Sequence, residues 1–158
     1  MMKRSPLVLA ALLAIPGLGC TLAPPFKSGA PSISREGVQV AVTKQRCDQV
    51  DEPDEYGWDL IEAVVEVQIG NATTVPLTVH RDVFRLLGSD GTALKTMTWR
   101  AADPLTIDPG TSGAFELRFM TRGSPECTSE MILDVDTGLV LPGGPVKVDG
   151  VKFTPTRA

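Results

Sequence analysis

The chain has 158 residues, with 15 basic and 19 acidic side chains and a formal net charge of −4. That balance gives no attraction to phosphate backbones, and no basic patch interleaved with aromatics appears, so nucleic acid is excluded as the expected partner. One histidine and three cysteines leave little from which to build a transition-metal centre.

The N-terminus opens with Lys3 and Arg4, runs through an unbroken apolar stretch from Leu7 to Ile15, and reaches Cys20 through Pro16-Gly17-Leu18-Gly19. A charged end, an apolar middle and a small-residue zone are the layout of a secretory signal. The apolar run is shorter than the roughly 20 residues a permanent membrane helix needs. Leu18-Gly19-Cys20 resembles the lipobox of bacterial lipoproteins, which implies residues 1–19 as signal peptide and a lipid on Cys20 that holds the product on a membrane. Thr21 in the next place resembles the outer-membrane sorting pattern. Gly17 and Gly19 also satisfy an ordinary signal peptidase, so plain secretion stays open. Loss of Lys3 and Arg4 would leave 13 basic and 19 acidic residues, a charge of −6. The remaining 139 residues suffice for one domain with a core of its own.

With Cys20 lipidated, Cys47 and Cys127 form an even set in an exported protein, where disulfides persist. A bridge across so long a loop would stabilise the fold by ~4 to 5 kcal/mol in the chain-entropy model. Two separate buried thiols are the alternative. No Cys-x-x-Cys pair is present, so thiol redox and zinc-ribbon chemistry have no basis.

Residues 20–36 are punctuated by proline, glycine and serine without helical or strand period, which predicts a flexible tether. The folded domain is expected over 37–158. Val38, Val40 and Val42 alternate with polar residues in a first strand that ends near Cys47. An acidic loop follows over 48–59. In Glu62-Ala-Val-Val-Glu-Val-Gln-Ile-Gly-Asn71, residues Ala63, Val65, Val67 and Ile69 share one side, the pattern of a central strand with one buried face. Leu77 and Val79 mark another strand, continued by Phe84 and Leu86 after a kink near Arg81-Asp82. Ser89-Asp90-Gly91 is a turn, Leu94 to Trp99 a strand, and Asp108-Pro109-Gly110 a turn. Phe115, Leu117 and Phe119 form one face of the next strand, and Met131, Leu133 and Val135 alternate again. Val146 to Phe153 reads either as a hairpin on Asp149-Gly150 or as one strand with a glycine bulge.

Seven or eight short strands with regular turns and no convincing helix predict an all-β antiparallel sandwich, with a closed barrel as the alternative. Val65-x-Val67-x-Ile69-x-Asn71, Phe84-x-Leu86, Asp90-Gly91, Asp108-Pro109-Gly110 and Phe115-x-Leu117-x-Phe119 together resemble the telokin-like, immunoglobulin-like domain of unassigned function found in bacterial lipoproteins. The resemblance spans roughly Val38 to Thr121 and implies an extracytoplasmic immunoglobulin-like sandwich behind a lipid anchor. Its motifs are strands and turns, with no chemistry in them. Arg122 to Ala158, with Cys127 and Pro142-Gly143-Gly144-Pro145, departs from the pattern.

The acidic loop carries the candidate sites. Asp48, Asp51, Asp54 and Asp59 supply hard oxygens of the kind Ca²⁺ takes, without EF-hand spacing, and a solvated acidic loop is the plainer account. Tyr56 and Trp58 in the same loop read either as an aromatic anchor for a partner or as a cover over the end of the core. His80 is expected as a surface or half-buried strand residue. Its Arg81-Asp82 sequel matches a kinase catalytic loop by chance, since neither the following Asn nor a glycine-rich loop is present. No Gly-x-Ser-x-Gly elbow occurs, and no carboxylate pair is singled out for glycoside hydrolysis. Asn71-Ala72-Thr73 is formally a glycosylation acceptor. Met97, Met120 and Met131 read as core filling. No cofactor is expected beyond that possible calcium. The expectation is a non-enzymatic binding or scaffolding module of the cell envelope, with a protein or wall polymer as partner. A calcium-dependent module and a wall-directed hydrolase are the alternatives.

Overall fold

A computed structural model describes residues 32–50, 54–96, 104–122, 127, 129–135 and 137–156. The strands are β1 (Ser32–Arg35), β2 (Val38–Val50), β3 (Leu60–Asn71), β4 (Leu77–Val79), β5 (Arg85–Leu87), β6 (Ala93–Thr96), β7 (Leu105–Ile107), β8 (Thr111–Arg122), β9 (Met131–Asp134), β10 (Leu139–Leu141), β11 (Gly144–Pro145) and β12 (Val151–Phe153). A 3-10 turn over Arg81–Val83 accounts for the kink read between β4 and β5. The expected all-β antiparallel sandwich is observed, with more strands than anticipated, of which β2, β3 and β8 are long, at 13, 12 and 12 residues.

One ladder runs β1-β2-β3-β8-β6-β5-β9-β12, and a smaller sheet runs β11-β10-β4-β7. The long ladder turns a corner at β6. Ala93 and Leu94 pair with β5, whereas Lys95 and Thr96 pair with β8, so this one short strand serves both layers. Beyond β12 the chain returns to β2 through a single parallel bridge, Arg46 to Thr156. There the Cys47 N–H donates to the Thr156 carbonyl at 3.2 Å, and the Thr156 hydroxyl donates to the Gln45 carbonyl at 2.8 Å.

The core is the period-2 face of these strands. Val65, Val67 and Ile69 of β3 are fully buried, as are Val38, Val40 and Val42 of β2 to within 1%. Leu117 and Phe119 of β8 lie in the same layer, opposite Val65 and Ala63. Each such side chain contributes about 1.5–3 kcal/mol by leaving water. Phe115 is half-buried against this core, its ring 6.1 Å from that of Phe84.

Strand β2 would fail on strict alternation. Continuing the even-numbered inward face past Val42 would turn Lys44, Arg46 and Asp48 into the core. A bulge between Val42 and Lys44 adds one residue, Thr43, and reverses the phase: Val42 pairs with Val67, but Gln45 pairs with Val65 and Cys47 with Ala63. Cys47 therefore reaches the interior, where it is bonded to Cys127 with Cα atoms 5.3 Å apart across a separation of 80 residues.

Two expectations are corrected. The tether boundary at residue 36 moves, because Ser32–Arg35 forms β1, paired with Val38–Ala41. Glu36 and Gly37, both at positive φ, make the two-residue turn that this hairpin needs. Neither expected form of Val146 to Phe153 occurs either. The hairpin lies earlier, with Leu141 opposite Gly144, and only Val151–Phe153 is a strand, paired with β9. Gly150 permits that close approach, since a Cβ there would stand 2.5 Å from the Ile132 side chain. Part of the expected strand at 94–99, including Met97 and Trp99, lies outside the described residues.

Candidate interaction surface on the Asp54 loop

The hairpin joining β2 to β3 carries the most exposed aromatic side chains among the described residues, Tyr56 at 68% and Trp58 at 58%. The alternative that Trp58 covers the end of the core is thereby corrected, because its indole faces solvent.

The loop is nonetheless firmly built. The Asp54 N–H donates to the Trp58 carbonyl at 3.0 Å, and the Gly57 N–H donates to the Asp54 carbonyl at 2.8 Å. Asp54 and Trp58 thus close a three-residue loop, Glu55-Tyr56-Gly57, whose last residue has φ +79°, the conformation glycine adopts without steric cost. One carboxylate oxygen of Asp54 accepts from the backbone N–H groups of both Tyr56 and Trp58, each at 2.9 Å. Its other oxygen meets the Arg122 guanidinium at 2.5 Å. Arg122 comes from the end of β8, which pairs it with Leu60 beside the loop. The same guanidinium lies over the Tyr56 ring, 5.0 Å from its centroid. Burial alone would raise the Asp54 pKa, but the Trp58 and Tyr56 N–H groups and Arg122 together hold it below the usual carboxylate value.

These contacts decide how the calcium ligands stand. Asp54 is committed to its own loop and to Arg122. Asp48 sits on the outward face of β2, 3.7 Å from Arg46, and Asp59 is exposed at the entry to β3, while Asp51 lies outside the described residues. Among the described residues no three potential ligands come together around a point that could hold a metal ion. Asp48, Asp54 and Asp59, the three described aspartates, are thus not gathered around one point. Cys20, the expected lipidation site, also lies outside the described residues.

A second concavity of about 490 Å³ lies on the outer sheet face, lined in part by Thr43, Lys44, Arg46, Val64, Glu66 and Glu116. Its charges neutralise one another: Lys44 meets Glu66 at 2.8 Å, Arg46 meets Asp48, and Glu116 meets Arg118 at 2.9 Å. The hydrogen bond from Lys44 to Glu66 raises the lysine pKa. This face reads as a solvated surface with its salt bridges satisfied.

Asn71 is fully buried. Its amide nitrogen donates to the carbonyls of Val75 at 2.8 Å and Ile107 at 2.9 Å. Its oxygen accepts from the Thr73 N–H and hydroxyl at 3.0 and 2.7 Å. An acceptor nitrogen so enclosed is not available to a glycan in the folded domain. His80 is half-buried, at the head of the 3-10 turn. Sequence reasoning passed over Arg122, which only the β3–β8 register brings to the loop, and the bulge at Thr43, for which an alternation that would bury three charges was the available sign.

No family model matches the chain, and no curated protein does. Among solved structures, a provisionally assigned lipoprotein from Bacillus subtilis, ycdA, is similar with a TM-score of 0.59 and 18% identity, over 80% of this chain and 39% of its own. A structural-genomics target, SoR45, is similar at a TM-score of 0.49 and 11% identity, over 76% of this chain and 87% of its own. The first likeness shows the fold, and the second carries no argument. This chain spans 39% of the length of the Bacillus protein.

Proposed function

We propose that this protein is a lipid-anchored, non-enzymatic binding module of the bacterial cell envelope, with a telokin-like, immunoglobulin-like domain that engages a partner through the Asp54 loop. The observation that carries this reading is the pairing of exposure with rigidity. Tyr56 and Trp58 stand in solvent, yet Asp54, Gly57 and Arg122 fix the backbone that presents them. A loop backbone already ordered before association loses little entropy on binding, which favours the aromatic side chains it presents as interface anchors. The lipobox resemblance at Leu18-Gly19-Cys20 and the likeness to a provisionally assigned lipoprotein support the anchor.

Thr21, directly after the cysteine, supports the outer membrane as the place of the anchor.

Two measurements test the reading. The intact mass of protein extracted from membranes is expected to begin at Cys20 and to include acyl chains. Proteins or wall fragments co-purified from detergent-solubilised envelopes are expected to fall about tenfold or more in Tyr56→Ala/Trp58→Ala, as for loss of interface anchors. Undiminished co-purification from that variant would overturn the role of the loop, and an unlipidated mass would overturn the anchor.

A further inference from the structure

We infer that the partner of the Asp54 loop is a protein segment bearing arginine or lysine, held by cation–π contact with Trp58 and by the carboxylates of Glu55 and Asp59. The inference rests on the proposed role of the loop and deepens it by naming the chemistry of the partner.

Charge complementarity selects this occupant. Glu55, Tyr56, Trp58 and Asp59 are all exposed on one short loop. Among the described residues neither Glu55 nor Asp59 has an ion-pair partner, in contrast to Glu62, Glu66 and Glu116 on the neighbouring sheet face. Among the described residues the cation seen at the loop, Arg122, is spent on Asp54, so Glu55 and Asp59 leave negative charge beside two aromatic rings. Arg122 over Tyr56 also shows, inside the molecule, that a guanidinium settles on one ring of this loop while its charge meets a carboxylate. Trp58 offers the larger and more strongly attracting π face for a second cation supplied in trans. An acidic peptide or an anionic headgroup would meet repulsion from Glu55 and Asp59, and a neutral glycan would gain nothing from their charge.

The test uses the whole mature domain labelled with ¹⁵N, titrated with a short capped peptide carrying two arginines spaced by glycine. Matched peptides with glutamine or glutamate in place of arginine serve as controls. The chain has two tryptophans, so Trp58→Phe assigns the Trp58 indole N–H signal. The expected result is a saturable shift of the Trp58 signal with the arginine peptide alone. Its Kd should weaken about tenfold between 50 and 300 mM salt, as for a screened charge contact, and the shift should be lost in Glu55→Gln/Asp59→Asn with the amide spectrum otherwise retained. Equal shifts with the glutamine peptide, or no shift with arginine at millimolar concentration, would overturn the inference. If that happens while Tyr56→Ala/Trp58→Ala still abolishes co-purification from envelopes, the loop remains the binding surface and only the cationic partner is wrong. If neither effect appears, both readings fall.

Discussion

Asp54 and Asn71 do similar work at two loops, each using side-chain oxygen to satisfy backbone N–H groups that a bare turn would leave to water. Asn71 is the more deeply committed, since its amide also ties β3 to the carbonyls of Val75 and Ile107. Asn71→Ala is expected to cost roughly 2–4 kcal/mol, because it orphans buried donors and acceptors at once, and urea unfolding would measure it. Asp54 makes a pH-dependent contribution. Its pKa is lower in the folded state than the ordinary 3.8, so its stabilisation is fully present above that value and is lost as pH falls through the lower folded one. Asp54→Asn should therefore destabilise the domain at pH 7 and lose its difference from wild type as pH falls below 3.8, seen in urea midpoints at each pH. A difference that grows with acid would have the wrong sign. Sequence shows an aspartate at 54 in acidic company but not whether its oxygens go to an ion, to solvent or to its own loop. That choice depends on Arg122, brought from 68 residues away by strand register.

At the scale of elements, strand β2 shows what alternation reveals and where it stops. Val38, Val40 and Val42 announce a buried face, as do Val65, Val67 and Ile69, and both are observed. The phase change at Thr43 is signalled in the sequence only by the three charges that strict alternation would bury, and the pairing with β3 places it. There the Thr43 hydroxyl donates to the Glu66 carboxylate at 2.6 Å, outside the core. Deleting Thr43 should remove the bulge and leave Lys44 and Arg46 outward and Cys47 inward in unbroken alternation, and the expected result is a cooperatively folding domain with its disulfide formed. Two titratable thiols and no cooperative unfolding in the deletion variant would contradict the bulge assignment. Reduction of Cys47–Cys127 in the intact chain should lower stability by about 2–4 kcal/mol, read from urea midpoints with and without reductant. The turns at Ser89-Asp90-Gly91 and Asp108-Pro109-Gly110 were legible because glycine marks them, and Gly91 and Gly110 do take positive φ. Strands β1 and β11 were missed for a physical reason. They are four and two residues long, too short to show a period, and exist because a tight turn folds them onto a longer neighbour.

For the whole molecule, the architecture places the exposed Tyr56 and Trp58 at one end and paired charges on its broad face. The ladder turns at β6 and is fastened back to β2 by the Thr156 bridge, so the hairpin tip is held by a scaffold closed on both sides. Fold class could be read from strand periodicity and turn spacing because those signals are local. The candidate surface was only half legible, since Tyr56 and Trp58 stand out by type while their exposure depends on how the hairpin closes. The most direct measurement is site-specific photocrosslinking in living cells, with the crosslinker at position 58 and, as a control, at the exposed Val83 on another part of the domain. The account predicts one discrete adduct from position 58, weakened by Asp54→Ala and absent from position 83. No adduct from position 58, or the same adducts from both positions, would contradict it.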